Sequence, residues 1–577
     1  MAGCTAGATA VALMAPQTLA QLLEAAVNHH QAGNLKKAEQ LYLKALKHDP
    51  NQPDALNLLG VLTQQLGNTP KALSLFEQAI EAAPHLASIH FNKGKSLHDD
   101  GRIEGAKAAY EMALSCDPRF PGAILNLSVL LQEKDQTEEA LKYLNTLIKL
   151  APDHQKAHYN IGKCYQAQCR FDDALIAFNK ALGFNPNDHD AHFAIANTFS
   201  DIANYDDAIK HIKIAITIKP GWAQAYNNWA NYLAGQDKHE EAVSVFDQAI
   251  SCEPNNINAR VNRSLSLLTL GKLEAGWKDY KYRAESDAPY YRTVASELPR
   301  WDGSDLRDKS ILVWNEQGLG EEILFASLLS DLAKIASRCT LLCSPKLYLV
   351  FKRSFSHFPG LEITNSEHTQ FTDSDFDFQT SLADLGRFFR SSLSKFPKPT
   401  PYLTWNPALR NSFRADLEER FGKNRKFVGI SWASDNPIIG KEKTVPLGQW
   451  QTLLSSPGVT FINVQYGSAA MDTAVLPPEL RRNIVTVNTV NLDGDLEDTL
   501  ALLGALDEFV TSSNTTAHLA GAAGVQTHVM VPRARARIWY WFLEGSSGPW
   551  YAAVHLHRPN RAGTFEDAMG NIAKGLL

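Results

Sequence analysis

Paired cysteines are missing from this sequence. Seven cysteines, at positions 4, 116, 164, 169, 252, 339 and 343, are an odd number; none forms a CxxC pair or stands beside a histidine at metal-ligand spacing. That excludes a disulfide framework and a zinc ribbon, and it fits a reducing compartment. Basic residues are missing from the start: no Lys or Arg precedes Lys36, and the small apolar stretch MAGCTAGATAVALMA is short for a secretory signal, so residues 1–18 are expected to be a flexible tail. No run of 18 apolar residues occurs, so no membrane span is expected and the location implied is cytoplasmic. A surplus of positive charge is missing too. The net charge of -6 argues against nucleic acid as a partner, since phosphate binding needs clustered Lys and Arg. What remains, 44% apolar and 20% charged in 577 residues, is ordinary globular material, too long for one core.

The first half is periodic. Pro50, Pro84, Pro118, Pro152, Pro186, Pro220 and Pro254 are 34 residues apart without an insertion. Twelve residues before each stands Ala38, Ala72, Ala106, Ala140, Ala174, Ala208 or Ala242, small enough for two helices to approach closely. Four residues after these alanines come large side chains, Tyr42, Phe76, Tyr110, Phe178 and Phe246 among them, while Gly60, Gly94 and Gly162 mark a tight helix crossing. The pattern resembles the tetratricopeptide repeat over residues 19–254, seven copies in an α-solenoid whose first helices line a concave face.

On that face Asn92, Asn126, Asn160, Asn228 and Asn262 recur at multiples of 34, with Ala194 breaking the series. Primary amides can pair with the N–H and C=O of an extended peptide, which suits a polypeptide guest held in the repeat groove. They can equally tie neighbouring helices together. After Pro254 a further helix begins at Ile257, but Gly276, Trp277, Tyr280, Tyr282 and Arg283 replace the small-residue pattern. Residues 255–297 are therefore expected to be an atypical capping repeat and linker, with the boundary near 284–300.

From Lys309 the period changes to short runs, SILVWN, TLLCS, LEIT, KFVGISW, VTFINVQYG, EFVTS and THVMVP, separated by helical stretches. Such alternation predicts parallel sheets in two Rossmann-like lobes, residues 298–420 and 421–577, joined through PYLTWNPALRNSFRADLEERFGKN. The first strand runs into EQGLGEE, so Gly318 and Gly320 form a turn that opens a helix with Glu321 and Glu322 in its first turn. No third glycine and no ribose-binding acid follow, which argues against a dinucleotide cofactor. In the second lobe Ser513, Asn514, Thr515 and Thr516 cap a helix containing His518, Leu519 and Gly521. That start is either a diphosphate cradle or merely a good N-cap beside a packed histidine.

GLGEEILFASLL and NTTAHLAGAAGVQTHVMVP together resemble the bacterial heptosyltransferase superfamily, which has the GT-B fold, over residues 298–577. LPRWDG, the EQGLG turn, WYW and PWY bring the chain closer to bacterial proteins in which tetratricopeptide repeats precede such a domain, some of them resembling flagellin glycosyltransferases and others O-GlcNAc transferase-like. The resemblance implies a nucleotide-sugar donor and no separate cofactor, an acceptor protein such as flagellin modified on Ser or Thr, and an inverting, metal-independent reaction. It places Glu321 where the family has an aspartate base, one methylene longer here. Lys443 falls on a donor-phosphate lysine, and Asn514, Thr515, Thr516, His518 and Gly521 fall in the DTxxxH stretch, with Asn for Asp. Gln317, Gly318 and Gly320 of the turn, Ser431 and Trp432 of GISWAS, and Gln465 and Tyr466 of VQYG complete the donor site so implied. Tyr540 stands where the repeat-bearing relatives usually have Arg. Two other functions compete with protein glycosylation: a non-catalytic adaptor with a degenerate second half, and a transferase acting on a glycan or lipid.

Overall fold

The computed structural model describes residues 18–286, 296–365, 373–436 and 439–576. The tail expected over residues 1–18 lies outside them except for Thr18, as do residues 287–295 of the expected linker. The chain parts into two compact units, Met1–Ile218 and Lys219–Leu577.

In the first unit twelve described helices, from Leu19–Gln31 to Tyr205–Ile218, form six antiparallel hairpins. Thr18 starts the array with a capping box, its hydroxyl accepting from the Gln21 N–H at 3.3 Å while Gln21 Oε1 accepts from the Thr18 N–H at 3.0 Å. The periodic alanines Ala38, Ala72, Ala106, Ala140, Ala174 and Ala208 are fully buried. The glycines explain the crossing: a Cβ on Gly60, Gly94 or Gly162 would lie 2.6–2.7 Å from the ring of Phe76, Tyr110 or Phe178, respectively. Each hairpin turns through one left-handed residue, again every 34 positions: Gly33, Gly67, Gly101, Asp135, Cys169 and Ala203. A further seam recurs six residues after a repeat proline, where His90, His158 and His192 bond the carbonyls of Pro84, Pro152 and Pro186 through Nε2 at 2.8–3.1 Å.

The second unit opens with four more repeat helices, Ala223–Gly235, His239–Cys252, Ile257–Thr269 and Leu273–Tyr280, turning at the left-handed Asp237 and Gly271. Repeat character changes to strand character after residue 285, but the compact unit begins at Lys219. The reason is a shared core: Leu268, Leu273, Trp277 and Tyr280 of the last hairpin pack in one cluster with Trp301, Ile311, Phe325 and Trp539. A Cβ on Gly386 would lie 2.6 Å from the Trp277 ring, and Trp277 Nε1 donates to the Arg390 carbonyl at 2.8 Å.

Two wholly parallel sheets follow. The first holds β1 (Ser310–Trp314), β2 (Arg338–Cys343), β3 (Leu361–Asn365) and β4 (Phe378–Ser381) in the order β3-β2-β1-β4. The second holds β5 (Lys426–Ser431), β6 (Val459–Asn463), β7 (Ile484–Thr486), β8 (Glu508–Ser512), β9 (Thr527–Met530) and β10 (Val554–His557) in the order β10-β9-β8-β5-β6-β7. Both orders reverse direction at their first strand, which makes each lobe Rossmann-like with a switch point at its carboxyl edge, between β1 and β4 and between β5 and β8. The connecting segment forms the helix Pro407–Phe421, which packs on the second lobe: Arg410 Nε donates to the Gly504 carbonyl at 3.0 Å and Arg414 Nη1 to Asp507 at 2.9 Å.

Candidate functional site

The helix Leu319–Ala326 leaves β1 at Gly318, and the helix Thr515–Ala523 leaves β8 at Asn514; the two helices pack together. Gly320 permits this approach, since a Cβ there would meet the His518 ring at 3.0 Å. Gly318 likewise leaves room for the Glu321 carboxylate, and Gly521 for Val554 and Tyr551.

The two carboxylates of the first turn have separate fates. Glu322 is buried and bonded, accepting from the Ser344 N–H at 2.8 Å, the Ser344 hydroxyl at 2.5 Å and Asn315 Nδ2 at 3.1 Å. It anchors the helix start to the end of β2. Glu321 is half-buried, and its Oε1 accepts from the Tyr540 hydroxyl at 3.2 Å. Because Tyr540 donates there, it accepts from His518 Nε2 at 3.2 Å, and His518 Nδ1 in turn accepts from the Tyr551 hydroxyl at 2.9 Å. His518 lies under Trp541, ring centroids 5.0 Å apart. Burial, helped by the Lys443 charge, pushes its pKa down to about 3, so it is a neutral positioning group. Burial and then the Glu321 charge hold the Tyr540 phenol well above its usual value, which keeps it a donor.

Lys443 follows β5 and is only 8% exposed, yet among the described residues its ammonium has neither a hydrogen-bond nor an ion-pair partner. Burial lowers its pKa, with Glu321 pulling the other way. Taking such a cation out of water without a partner costs stability.

Several other sequence candidates are already engaged inside the protein. Gln465 Oε1 accepts from the Ser431 hydroxyl and from the N–H groups of Trp432 and Ala433 at 2.8–3.0 Å, and its Nε2 donates to the Tyr466 carbonyl at 2.7 Å. Asn514 donates to Ser431 Oγ at 2.8 Å and to the Ala433 carbonyl at 3.1 Å, and accepts from the Thr516 hydroxyl at 2.7 Å. These residues knit the β5 and β8 ends together at the switch point. Trp432 packs in the second lobe's core. Gln317 Nε2 donates to the Tyr280 hydroxyl at 2.7 Å. Thr515 and Tyr466 are half-buried and hydrogen-bonded to each other. Of the remaining candidates Lys443 has no partner among the described residues, while Glu321, Tyr466 and Thr515 are half-buried, Glu321 bonded to Tyr540 and the other two to each other.

The asparagine series is at least half-buried and tied internally. In the first unit Asn92 Nδ2 donates to Asn57 Oδ1 at 3.0 Å, Asn126 Nδ2 to the Tyr110 hydroxyl at 3.4 Å and Asn160 Nδ2 to the Lys156 carbonyl at 2.9 Å. In the second, Asn262 Nδ2 donates to Asn227 Oδ1 at 3.0 Å and Asn227 Nδ2 to Asn228 Oδ1 at 3.3 Å. Asn92, Asn126 and Asn262 thus tie one helix to another, whereas the Asn160 and Asn227–Asn228 bonds stay within one helix.

Three imidazoles of the second unit, two of them buried and His557 partly so, make it acid-sensitive. Burial, the first cause in each, lowers His518 to about 3, His239 to about 4 and His557 to about 4. The unfolded chain protonates these groups near pH 6.5, so between pH 6.5 and 4 it binds more protons than the folded chain and stability drops as the pH falls. Each fully buried imidazole adds up to about 1.4 kcal/mol per pH unit, and half-exposed His557 adds less. Urea midpoints at pH 7 and pH 5 test this; equal midpoints would contradict it.

Comparison with known proteins identifies the first part of the chain. The tetratricopeptide repeat family models match residues 29–91, 97–158 and 131–197, residues 63–123, and residues 222–252. The chain therefore contains tetratricopeptide repeats, a module that commonly binds protein partners. It is 30% identical over 334 residues to Protein FlbA of Caulobacter vibrioides, an alignment covering 54% of each chain, so the chain spans about half the length of this curated relative. Similar solved structures include a tetratricopeptide repeat protein from Parabacteroides merdae (TM-score 0.36, 18% identity, 43% of this chain and 98% of that one). They also include YrrB, described as a TPR protein with an unusual peptide-binding site (TM-score 0.28, 22% identity, 31% and 92%). Among the described residues no helix is long and apolar enough to cross a membrane.

Proposed function

We propose that the chain is a glycosyltransferase of GT-B type that moves a sugar from a nucleotide-sugar to a Ser or Thr hydroxyl of a protein bound by its repeats, flagellin being the acceptor suggested by family resemblance. The observation that carries this reading is Lys443, 8% exposed and without a hydrogen-bond or ion-pair partner among the described residues, set at the carboxyl edge of a Rossmann-like sheet where its field reaches Glu321. Lys443 and the helix start at Thr515 receive the diphosphate. Glu321 takes the proton of the acceptor hydroxyl as its oxygen bonds to the anomeric carbon. The bond from that carbon to the phosphate oxygen breaks, and the electron pair leaves with the nucleoside diphosphate beside Lys443. Tyr540 donates to Glu321 Oε1 and so orients its carboxylate for that step.

A non-catalytic adaptor is the second reading, favoured by the internal hydrogen bonds that occupy Gln317, Ser431, Gln465 and Asn514. Thermal-shift titration with UDP-, GDP-, ADP- and CMP-linked sugars separates the two. A donor at a hundred times its Kd stabilises the fold by about 2.7 kcal/mol. Lys443→Met is expected to abolish that shift while raising the unfolding midpoint of the free protein, because a largely desolvated charge without a hydrogen-bond partner among the described residues is gone. If no donor of the panel shifts or is cleaved, the adaptor reading stands. Intact-mass measurement of a co-expressed acceptor then tests the protein target.

A further inference from the structure

Tyr280 ends the last repeat helix and is 2% exposed. Its hydroxyl receives the Gln317 Nε2 hydrogen bond at 2.7 Å, one residue before the Gly318 cap of the helix that carries Glu321. Beside it Arg283, 1% exposed, stacks its guanidinium 4.2 Å from the Tyr280 ring centre and reaches Glu316 at 2.5 Å, Asp384 at 2.8 Å and Ser381 Oγ at 2.9 Å. Asn315 completes the turn, donating to Glu322 at 3.1 Å. Residues 315, 316 and 317, the whole passage from β1 to the Gly318 cap, are therefore fixed by side-chain bonds, and two of the three are fixed by the last repeat. The switch point of the first lobe, between β1 and β4, is filled by Arg283 rather than open to a ligand.

The other partner of Glu321 is held from the repeats as well. Tyr540 lies in a strap whose Ala534 N–H and Arg537 guanidinium both donate to Asp237, the left-handed corner of the preceding hairpin. Trp539 of that strap packs edge-to-face on Trp277 at 5.3 Å and on Tyr280 at 6.3 Å.

We infer that Tyr280 is a positioning residue for Glu321, so that the final repeat hairpin is a working part of the transfer site and not only its cap. The inference rests on the proposed role of Glu321 as base. Tyr280 acts through Gln317 and the Gly318 turn, setting where the carboxylate meets the acceptor hydroxyl. Lys443 and Thr515 belong to the second lobe, so donor binding does not depend on it.

The test uses the full chain and whichever of UDP-, GDP-, ADP- and CMP-linked sugars it cleaves. Tyr280→Phe removes one oxygen and keeps the ring that packs on Trp277 and Trp539. Misplacing a catalytic group by about 1 Å costs up to about a hundredfold in rate, and loss of one hydrogen bond in a packed turn is expected to lower kcat about tenfold with the donor KM unchanged. Gln317→Met breaks the same hydrogen bond from the other end and is expected to do the same. An unchanged kcat in both variants overturns the inference. So does a fall in kcat matched by a rise in KM and a lower unfolding midpoint, the pattern of simple structural damage. Glu321→Gln run alongside separates the two levels. If it transfers sugar normally, or if no donor is cleaved, the base assignment falls and takes the positioning role with it. If it is inactive while both other variants are normal, only the positioning role falls.

Discussion

Glu321→Gln is expected to reduce sugar transfer by about 10²- to 10⁴-fold, the usual contribution of a general base, with donor affinity unaltered. The amide matches the carboxylate in shape, and its oxygen can still accept the Tyr540 hydrogen bond at the 3.2 Å seen for Oε1. Gly318, Gly320 and the packing of the helix Leu319–Ala326 against the helix Thr515–Ala523 are untouched, so the fold is expected to survive. What the amide lacks is the capacity to take a proton. Intact-mass assay of the acceptor under saturating donor reads the effect directly, and near-normal transfer by folded Glu321→Gln protein excludes the assignment. Glu322 is no substitute, because three hydrogen bonds hold it on Ser344 and Asn315.

Arg283→Ala is expected to destabilise the second unit by about 3–5 kcal/mol, the range for removing one partner of a buried ion pair. Burial opposes the Arg283 charge, but Asp384 and then Glu316 carry its pKa above the usual value. Burial also raises the Glu316 carboxyl, with Arg283 opposing it. Without the guanidinium two nearby carboxyls are left inside the protein, and among the described residues only Arg300, 3.7 Å from Asp384 at the surface, is a cation paired with either. Ser381 and the Tyr280 carbonyl lose a donor as well. Changing Arg283, Glu316 and Asp384 together to apolar residues of similar volume is expected to recover most of the loss, since such replacements are often neutral or better. Chemical denaturation of the single and triple variants measures both effects, and an unchanged midpoint for Arg283→Ala would show that the cluster contributes nothing.

The repeats were legible because a 34-residue period writes itself directly into the positions of Pro, Ala and Gly. Their left-handed corners were not. Glycine marks four of them, Gly33, Gly67, Gly101 and Gly271, but Asp135, Cys169, Ala203 and Asp237 fill the others, and only the period links the two groups. Seven of the ten strands stood out as apolar runs. The other three, Phe378–Ser381, Ile484–Thr486 and Val554–His557, have three or four residues, too few for a period of two to register, and two of them are at least half polar. In the site, resemblance pointed to Glu321 and Lys443, while the broken spacing marked Tyr280 and Arg283 as part of the array's end without showing that they meet Gln317 and Glu316. Those side chains arrive from another part of the chain, and pairings of that kind leave no local pattern. Polar residues at strand ends also looked open to a ligand when several, such as Gln465 and Asn514, close the switch point from within.

Asp237 bears on how such an array can change in length. At Gly33, Gly67, Gly101, Asp135, Cys169 and Ala203 the corner asks for a residue that tolerates left-handed backbone, so one hairpin unit can stand in for another. At Asp237 the corner also has an address, the Ala534 N–H and the Arg537 guanidinium. Tyr280 and Arg283 give the final unit an address of the same kind. Duplication or loss of whole units is therefore expected to be tolerated upstream and not over the last two, where Asp237, Tyr280 and Arg283 are committed to specific partners.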